Sequence, residues 1–375
     1  MLNAQTFSNR WEDVIWNVPN APEINKVIYD GVTVWERGGL SLLKDFNYTF
    51  DETTNAVSLT SWKGTYKGVN STTCYIPDIG PNYTVDLGTL NFRSYSKITN
   101  VFISNSTVIN TVFDQKFYNM PNMVSCTFQY ENLTSMANSF FNCRRLNAQP
   151  VCGDNVTNMS GTYHSASFLI GNPVCGPKVT DMTNTYAHCF RLTNNPVCGD
   201  NVITLNRAYI GCTNLTGSPV CGDKVTDMGY TYYDCTNITG SPVCGNNVTS
   251  MLSTYHDCVN LSGSPVCGPK VNILQSTYYN CPNIFGNGYF YSPNVRTVSG
   301  CFNGRNISNR LNLYVPANSN TLNTIVFNII STGLYNRVLK WTNDYATNGV
   351  YYNTTYNTYV YPVANVEEAR LLNGD

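Results

Sequence analysis

The tetrapeptide Pro-Val-Cys-Gly occurs six times, and its cysteines stand at Cys152, Cys175, Cys198, Cys221, Cys244 and Cys267, every step being 23 residues. A second series runs Cys143, Cys189, Cys212, Cys235, Cys258 and Cys281, in steps of 23 or twice 23, with its one vacancy filled by Ala166. Other positions keep the same phase. Val156, Val179, Val202, Val225, Val248 and Val271 form one apolar column, and Met159, Met182, Leu205, Met228, Met251 and Leu274 form the next. A third follows the second cysteine: Leu146, Leu169, Leu192, Leu215, Ile238, Leu261 and Ile284. One such segment cannot bury its apolar side alone. Stacked segments give every column like neighbours above and below, so the columns merge into one core. At a parallel-strand spacing of about 4.8 Å, roughly nine or ten coils predict a rod on the order of 45 Å long.

The proline of each copy (Pro150, Pro173, Pro196, Pro219, Pro242, Pro265) forms a column of its own. Proline has no N–H for a ladder, so a proline column excludes regular pairing at that place. The reading therefore expects short parallel strands on either side, around "VC" and "KVTDM".

Three readings compete for the 15 cysteines. Structural zinc uses close pairs such as C-x₂-C, and the alternating C-x₈-C and C-x₁₃-C spacings contain none. Disulfides between adjacent coils fit the bridging distance, but the count is odd and oxidised pairs belong mainly to exported proteins. The favoured reading is two ladders of reduced, buried thiols filling tight corners.

The histidines are His164, His188 and His256. His164 and His256 share a phase four coils apart, about 19 Å, which excludes a shared metal or catalytic partner. Asp181 and Asp227 lie two coils apart across Thr204, and only Asp200 and Asp223 of the other carboxylate column are in adjacent coils. Aspartate after glycine is first a turn residue. The expectation is therefore no catalytic residue, no metal and no cofactor.

Net charge is −1 and 12% of residues are charged, without a basic run, so a nucleic-acid partner is not expected. No apolar stretch reaches the roughly 18 residues of a membrane span. The first twenty residues show no basic segment leading into an apolar one, so no secretory signal is expected.

The period falls in the leucine-rich-repeat range and is too short for tetratricopeptide or ankyrin units. "NVTNM", "KVTDM", "TYYDCTNIT" and "TYHDCVNLS" resemble the BspA-type leucine-rich repeats of bacterial surface proteins, as does residues 46–80, which looks like that family's opening β-hairpin cap. Residues 97–108 look like a degenerate first repeat. The departures are Thr-Tyr where the family often has Ala-Phe, and the Pro-Val-Cys-Gly corner. The resemblance covers roughly residues 45–316 and implies a β-rich leucine-rich-repeat solenoid with 23-residue coils, short parallel strands and β caps at both ends. Family members include surface adhesins and proteins of bacteriophage particles. The hairpin-like "INKVIYDGVTVWER" and the segment after residue 311 are similar to the ends of phage virion proteins.

Four parts are expected: an attachment segment (1–39), a cap (40–96), the repeats (97–310) and a closing segment (311–375). Trp11, Trp16 and Trp35 are candidates for docking onto other virion proteins, set against packing within their own segment. The two positions after the Met/Leu column vary between coils. Among them Arg207 and Tyr230, one coil apart, are candidates for reading a neutral glycan or protein on a host surface, against the plainer reading of solvated turns. The expected function is a structural or adhesive virion protein (tail, baseplate or fibre) assembled in the host cytoplasm. The alternatives are a bacterial cell-surface adhesin and a polysaccharide-degrading virion enzyme.

Overall fold

A computed structural model describes residues 26–29, 32–36, 40–80, 82–104, 108–317, 319–325, 351–353 and 357–374. The chain divides into two compact units, Met1–Asn110 with Cys126–Gln129, and Thr111–Ser125 with Tyr130–Asp375. The division at Asn110 falls inside the stretch that the sequence assigned to the repeats.

In the first unit, β1 (Lys26–Tyr29) and β2 (Val32–Glu36) pair antiparallel, with Val27 opposite Trp35. The alternating β3 (Phe46–Asp51) and β4 (Ala56–Trp62) form a second antiparallel pair, and β5 (Thr65–Tyr66) and β6 (Val69–Asn70) a third. Asp45, 7% exposed, receives Thr65 Oγ1 at 2.6 Å and the backbone N–H groups of Lys67 and Gly68 at 2.7 and 2.9 Å. A buried carboxylate is tolerated there because three donors replace its water. Parallel pairing then takes over: β7 (Thr73–Ile76) pairs with β9 (Asn100–Ile103), and β8 (Thr84–Asp86) with β4.

The second unit is built from rungs of chain joined by single parallel bridges. The bridge partners run Val112, Ser135, Asn158, Asp181, Thr204, Asp227, Ser250, Ile273 and Thr297, each 23 residues beyond the last until a final step of 24. Strands of more than one residue are rarer than the sequence suggests. β10 (Ser125–Thr127) and the parallel pair β11 (Ser262–Gly263) and β13 (Asn283–Ile284) are two or three residues long; among the described residues only the last Val-Cys pair, β12 (Val266–Cys267), is a strand, and the "KVTDM" segments contribute isolated bridges.

The reason lies in an alternation along each rung. The N–H groups of Met159, Gly161, Tyr163 and Ser165 donate to carbonyls of the next rung (Asp181, Thr183, Thr185, Ala187) at 2.7–2.9 Å. Those of Thr162, His164 and Ala166 turn back three residues within the rung, at 2.9–3.1 Å. With the Ser160 N–H held by the Asn158 side chain, every backbone donor from Met159 to Ala166 is used, but only every second one crosses between rungs. The alternation requires left-handed backbone at two columns. Gly161 and Ser165 have φ of 61° and 58°, and the same columns hold Asn184 and His188 at 54° and 59°.

Side chains hold the rungs in register. Thr231, fully buried, directs its hydroxyl at the carbonyls of Leu205 and Met228 (2.9 and 2.8 Å), and Thr254 and Thr277 repeat the contact to the preceding rung. The second cysteine series is buried, and each thiol donates to a carbonyl of the preceding rung, as Cys235 does to Tyr209 at 3.0 Å. The cysteines of both series are thiols without a disulfide. The Pro-Val-Cys-Gly thiols are less enclosed than expected: Cys152, Cys175, Cys198, Cys221 and Cys244 are half-buried, and only Cys267 of that series is buried. The glycine that follows is fixed by close approach. A Cβ at Gly199 would stand 3.0 Å from the Cys175 sulfur, and one at Gly268 would stand 2.7 Å from the Gly245 carbonyl.

The proline column is answered by tyrosine. Tyr163, Tyr186, Tyr209, Tyr232, Tyr255 and Tyr278 are at most 2% exposed and stack ring on ring at 5.6–5.7 Å. Each hydroxyl accepts from the N–H, and donates to the carbonyl, of the valine 12 residues before it, at 2.7–3.0 Å. One oxygen therefore serves both backbone groups that the broken ladder leaves unpaired.

At its C-terminal side the unit ends in a five-stranded sheet. Its strands are β12, β14 (Gly286–Phe290), β15 (Leu311–Pro316), β17 (Thr358–Val363) and β16 (Tyr351–Asn353), in that spatial order, parallel except for β16 against β17. The short helices α1 (Asn320–Ile325) and α2 (Val366–Leu372) follow β15 and β17. Asn365 caps α2 by accepting from Glu367 N and Glu368 N.

Candidate partner-binding surface

Arg207 and Tyr230 occupy one of the left-handed columns, with φ of 55° and 56°. The neighbouring rungs place Asn138, Gly161, Asn184, Ser253 and Ser276 there, residues that are small or can bond their own backbone. A bulky side chain in this conformation is uncommon. Here two stand side by side. The Arg207 guanidinium lies 4.8 Å from the centre of the Tyr230 ring, a cation–π contact. Arg207 is exposed and Tyr230 half-buried. Their backbone N–H groups are fixed by the next rung's Gly229 and Leu252 carbonyls, at 2.9 and 2.7 Å. The structure thus brings the two candidates together. The variation at this column is narrower than free turn variation, because every residue in it must accept left-handed backbone.

The pair continues into a track of rings that sequence reasoning missed. Tyr230 meets Tyr233 at 6.0 Å, Tyr233 stacks on His256 at 4.4 Å, and His256 stacks on Tyr279 at 4.4 Å. His256 Nδ1 lies 2.8 Å from Asp257 Oδ2, and Asn280 donates to the other oxygen of Asp257 at 2.7 Å. Burial, then the charges of Asp257 and Asp234, push the Tyr233 hydroxyl upward from its usual range. Burial, then Asp257, raise the Asp234 carboxyl. The 23-residue phase of Tyr233, His256 and Tyr279 was the available signal. A comparable contact joins His164 and His188, whose rings meet edge-on at 5.6 Å although they are 24 residues apart.

Of the docking candidates, Trp35 lies in β2, while Trp11 and Trp16 lie outside the described residues. The column of Asp181 and Asp227 holds turns. Asp181 accepts from Thr183 N, and Asp227 from Gly229 N and the Asn206 amide, at 2.7–2.9 Å. Among the described residues no group of three or more His, Cys, Asp and Glu is arranged to hold a metal. A cavity of about 340 Å³ beside β12 is lined in part by Cys244, Cys267, Tyr289 and Arg370. Burial pushes the Cys244 thiol up to about 11, so at neutral pH it is protonated and a poor nucleophile. No helix among the described residues is long and apolar enough to cross a membrane.

No family model matches this chain, and no curated protein matches it. Two solved structures show similarity. A leucine-rich cell surface protein from Faecalibacterium prausnitzii A2-165 is 14% identical, over 73% of this chain and 82% of that one, with a TM-score of 0.39. A leucine-rich repeat protein from Bacteroides ovatus ATCC 8483 is 12% identical, over 73% of this chain and 94% of that one, with a TM-score of 0.23. Neither overlap is close enough to carry a function across.

Relaxing the left-handed strain tests what the Tyr230 ring contributes. Tyr230→Gly is expected to leave stability unchanged or to raise it by up to about 1 kcal/mol, since glycine adopts this conformation without a Cβ penalty. Thermal melting checks this. A large loss would mean that the ring is a packing element.

Proposed function

We propose that this chain is a leucine-rich-repeat solenoid of the BspA type, with 23-residue coils and β caps at both ends, and that it acts by adhesion. It reads a neutral glycan or a protein on an opposing surface through Arg207, Tyr230 and the adjoining ring track. The observation that carries this is the placing of two bulky side chains, in cation–π contact with each other, in a left-handed column whose other members are Gln115, Asn138, Gly161, Asn184, Ser253, Ser276 and Gly300. Strain of about 1–2 kcal/mol per residue, kept at two adjacent rungs on the surface, points to selection for what the side chains do outside the fold. Arginine and tyrosine are the residues in which interface binding energy concentrates.

The setting is the finer part of the proposal. The virion reading, with attachment through residues 1–39 and Trp11, Trp16 and Trp35, rests on the resemblance of the chain ends. The adhesive reading rests on described residues and holds equally at a bacterial cell surface. Immunogold labelling of producing cells and of any particles they release separates the two settings. The adhesive role is tested by Arg207→Ala combined with Tyr230→Ala. Adsorption of the purified protein to host or neighbouring cells is expected to fall at least tenfold, with an unchanged far-UV spectrum. Unchanged adsorption with an intact fold would leave the solenoid as a scaffold.

A further inference from the structure

The edge beside the second cysteine column carries opposite charges in its two halves. In the N-terminal half stand Arg144, Arg145 and Arg191, all exposed, with His164 and His188 next to them. No salt bridge among the described residues involves these arginines. The same half exposes Phe168 (45%), Phe190 (43%) and Ile170 (38%), positions at which the next rungs carry mostly Asn and Thr before the columns end in Asn283, Pro282 and the exposed Phe285. The Arg191 guanidinium carbon lies over the Phe168 ring at 4.2 Å, a cation–π contact that joins the exposed cation to the exposed ring. His188 reaches Phe190 at 6.1 Å, so the cations and the apolar rings form one patch.

The C-terminal half of the same edge is acidic. The left-handed column that holds His188 continues through Gly211 to Asp234 and Asp257. Among the described residues none donates a hydrogen bond to the Asp234 carboxylate. Its carboxyl is raised by burial and by Asp257, which outweigh the opposing effect of His188 and His256. A cation brought to it would relieve that. Tyr233 and Tyr279 flank the acids and supply ring surface.

An edge with cations at one end and carboxylates at the other is complementary to itself when reversed. We propose that two copies of this chain dock antiparallel along this edge, the arginine and phenylalanine half of each lying against the aspartate and tyrosine half of the other. The two-fold axis passes near Gly211, the rung between His188 and Asp234, where the column has no side chain. Such a contact is isologous and closes at a dimer. It covers Phe168, Phe190 and Ile170, an apolar group of a kind that marks interaction surfaces. This inference does not depend on the adhesive reading.

Sedimentation velocity over a concentration series, at low and high salt, tests it on the full chain. The wild type is expected to dimerise, less strongly at high salt. Arg191→Glu and Asp234→Lys, made singly, are each expected to lower the association constant by roughly tenfold or more, because like charges then face each other. The double variant restores the pairing in reverse and is expected to recover most of the loss. Lys224→Glu, whose amine bonds Asn201 away from this edge, is expected to change nothing. Far-UV spectra verify folding in each case. A wild type that stays monomeric throughout overturns the proposal, and so does a double variant no better than the worse single one.

Discussion

Raised above about pH 9, the protein is expected to lose stability steeply and to unfold well below the pH at which its buried thiols would ionise in place. Burial pushes Cys143, Cys212 and Cys301 up to about 12, and the half-buried Cys152 up to about 11. An unfolded cysteine titrates near 8.5. The folded state thus holds protons that the unfolded chain releases. The stabilisation is complete below the unfolded value and is lost as pH rises toward the folded one. Each such thiol costs about 1.4 kcal/mol per pH unit across that window. At pH 10 Cys143, Cys212 and Cys301 alone remove about 6 kcal/mol, against a usual total of about 5–15 kcal/mol. The tyrosine column, also raised by burial, adds to the loss at higher pH. Urea unfolding followed by circular dichroism with reductant present, from pH 7 to pH 10.5, measures the effect. A midpoint that stays level to pH 10 would show that the thiols are not held as this structure has them.

The columns were legible because stacking imposes one residue type on a position six times over, and a period without insertions exposes it. The cysteines show the limit of that legibility. Fixed phase implied packing, but not that Cys235 and its column mates donate to a carbonyl of the preceding rung. Nor did phase tell the buried series from the half-buried one. The reduction of strands to single bridges was hidden for another reason. A parallel strand and the alternating pattern found here bury the same residues, and they differ only in where every second N–H points. Arg207 and Tyr230 could be placed together from spacing alone, whereas their left-handed backbone could not. The ring track is hidden because its column mixes tyrosine and histidine, at Tyr233, His256 and Tyr279, and so shows no single repeated residue type.

One further signal lay in the sequence. Tyrosine occupies the stacked-ring column wherever Pro-Val-Cys-Gly stands 12 residues earlier. Where that tetrapeptide is missing the column holds phenylalanine, at Phe117, Phe140 and Phe302, in the same continuous stack. The hydroxyl appears only with the broken ladder it repairs. Tyr232→Ala is therefore expected to cost about 3–5 kcal/mol, the range for emptying a buried aromatic site, and in a stacked array it loosens the rungs on both sides. Tyr232→Phe keeps the ring between Tyr209 and Tyr255 and removes one oxygen. It is expected to cost about 1–3 kcal/mol, because the Val220 N–H and carbonyl lose their partner. The reverse change, Phe302→Tyr, adds the same oxygen where the residue that corresponds to Val266, Tyr289, lies in a ladder with Val266 on one side and Tyr314 on the other. It too is expected to destabilise, by about 1–3 kcal/mol, since a buried hydroxyl gains no acceptor. Chemical unfolding of the three variants decides the matter. If removing the oxygen at Tyr232 were harmless, the column would be held by ring packing alone, and the link between the proline corner and the tyrosine would fail.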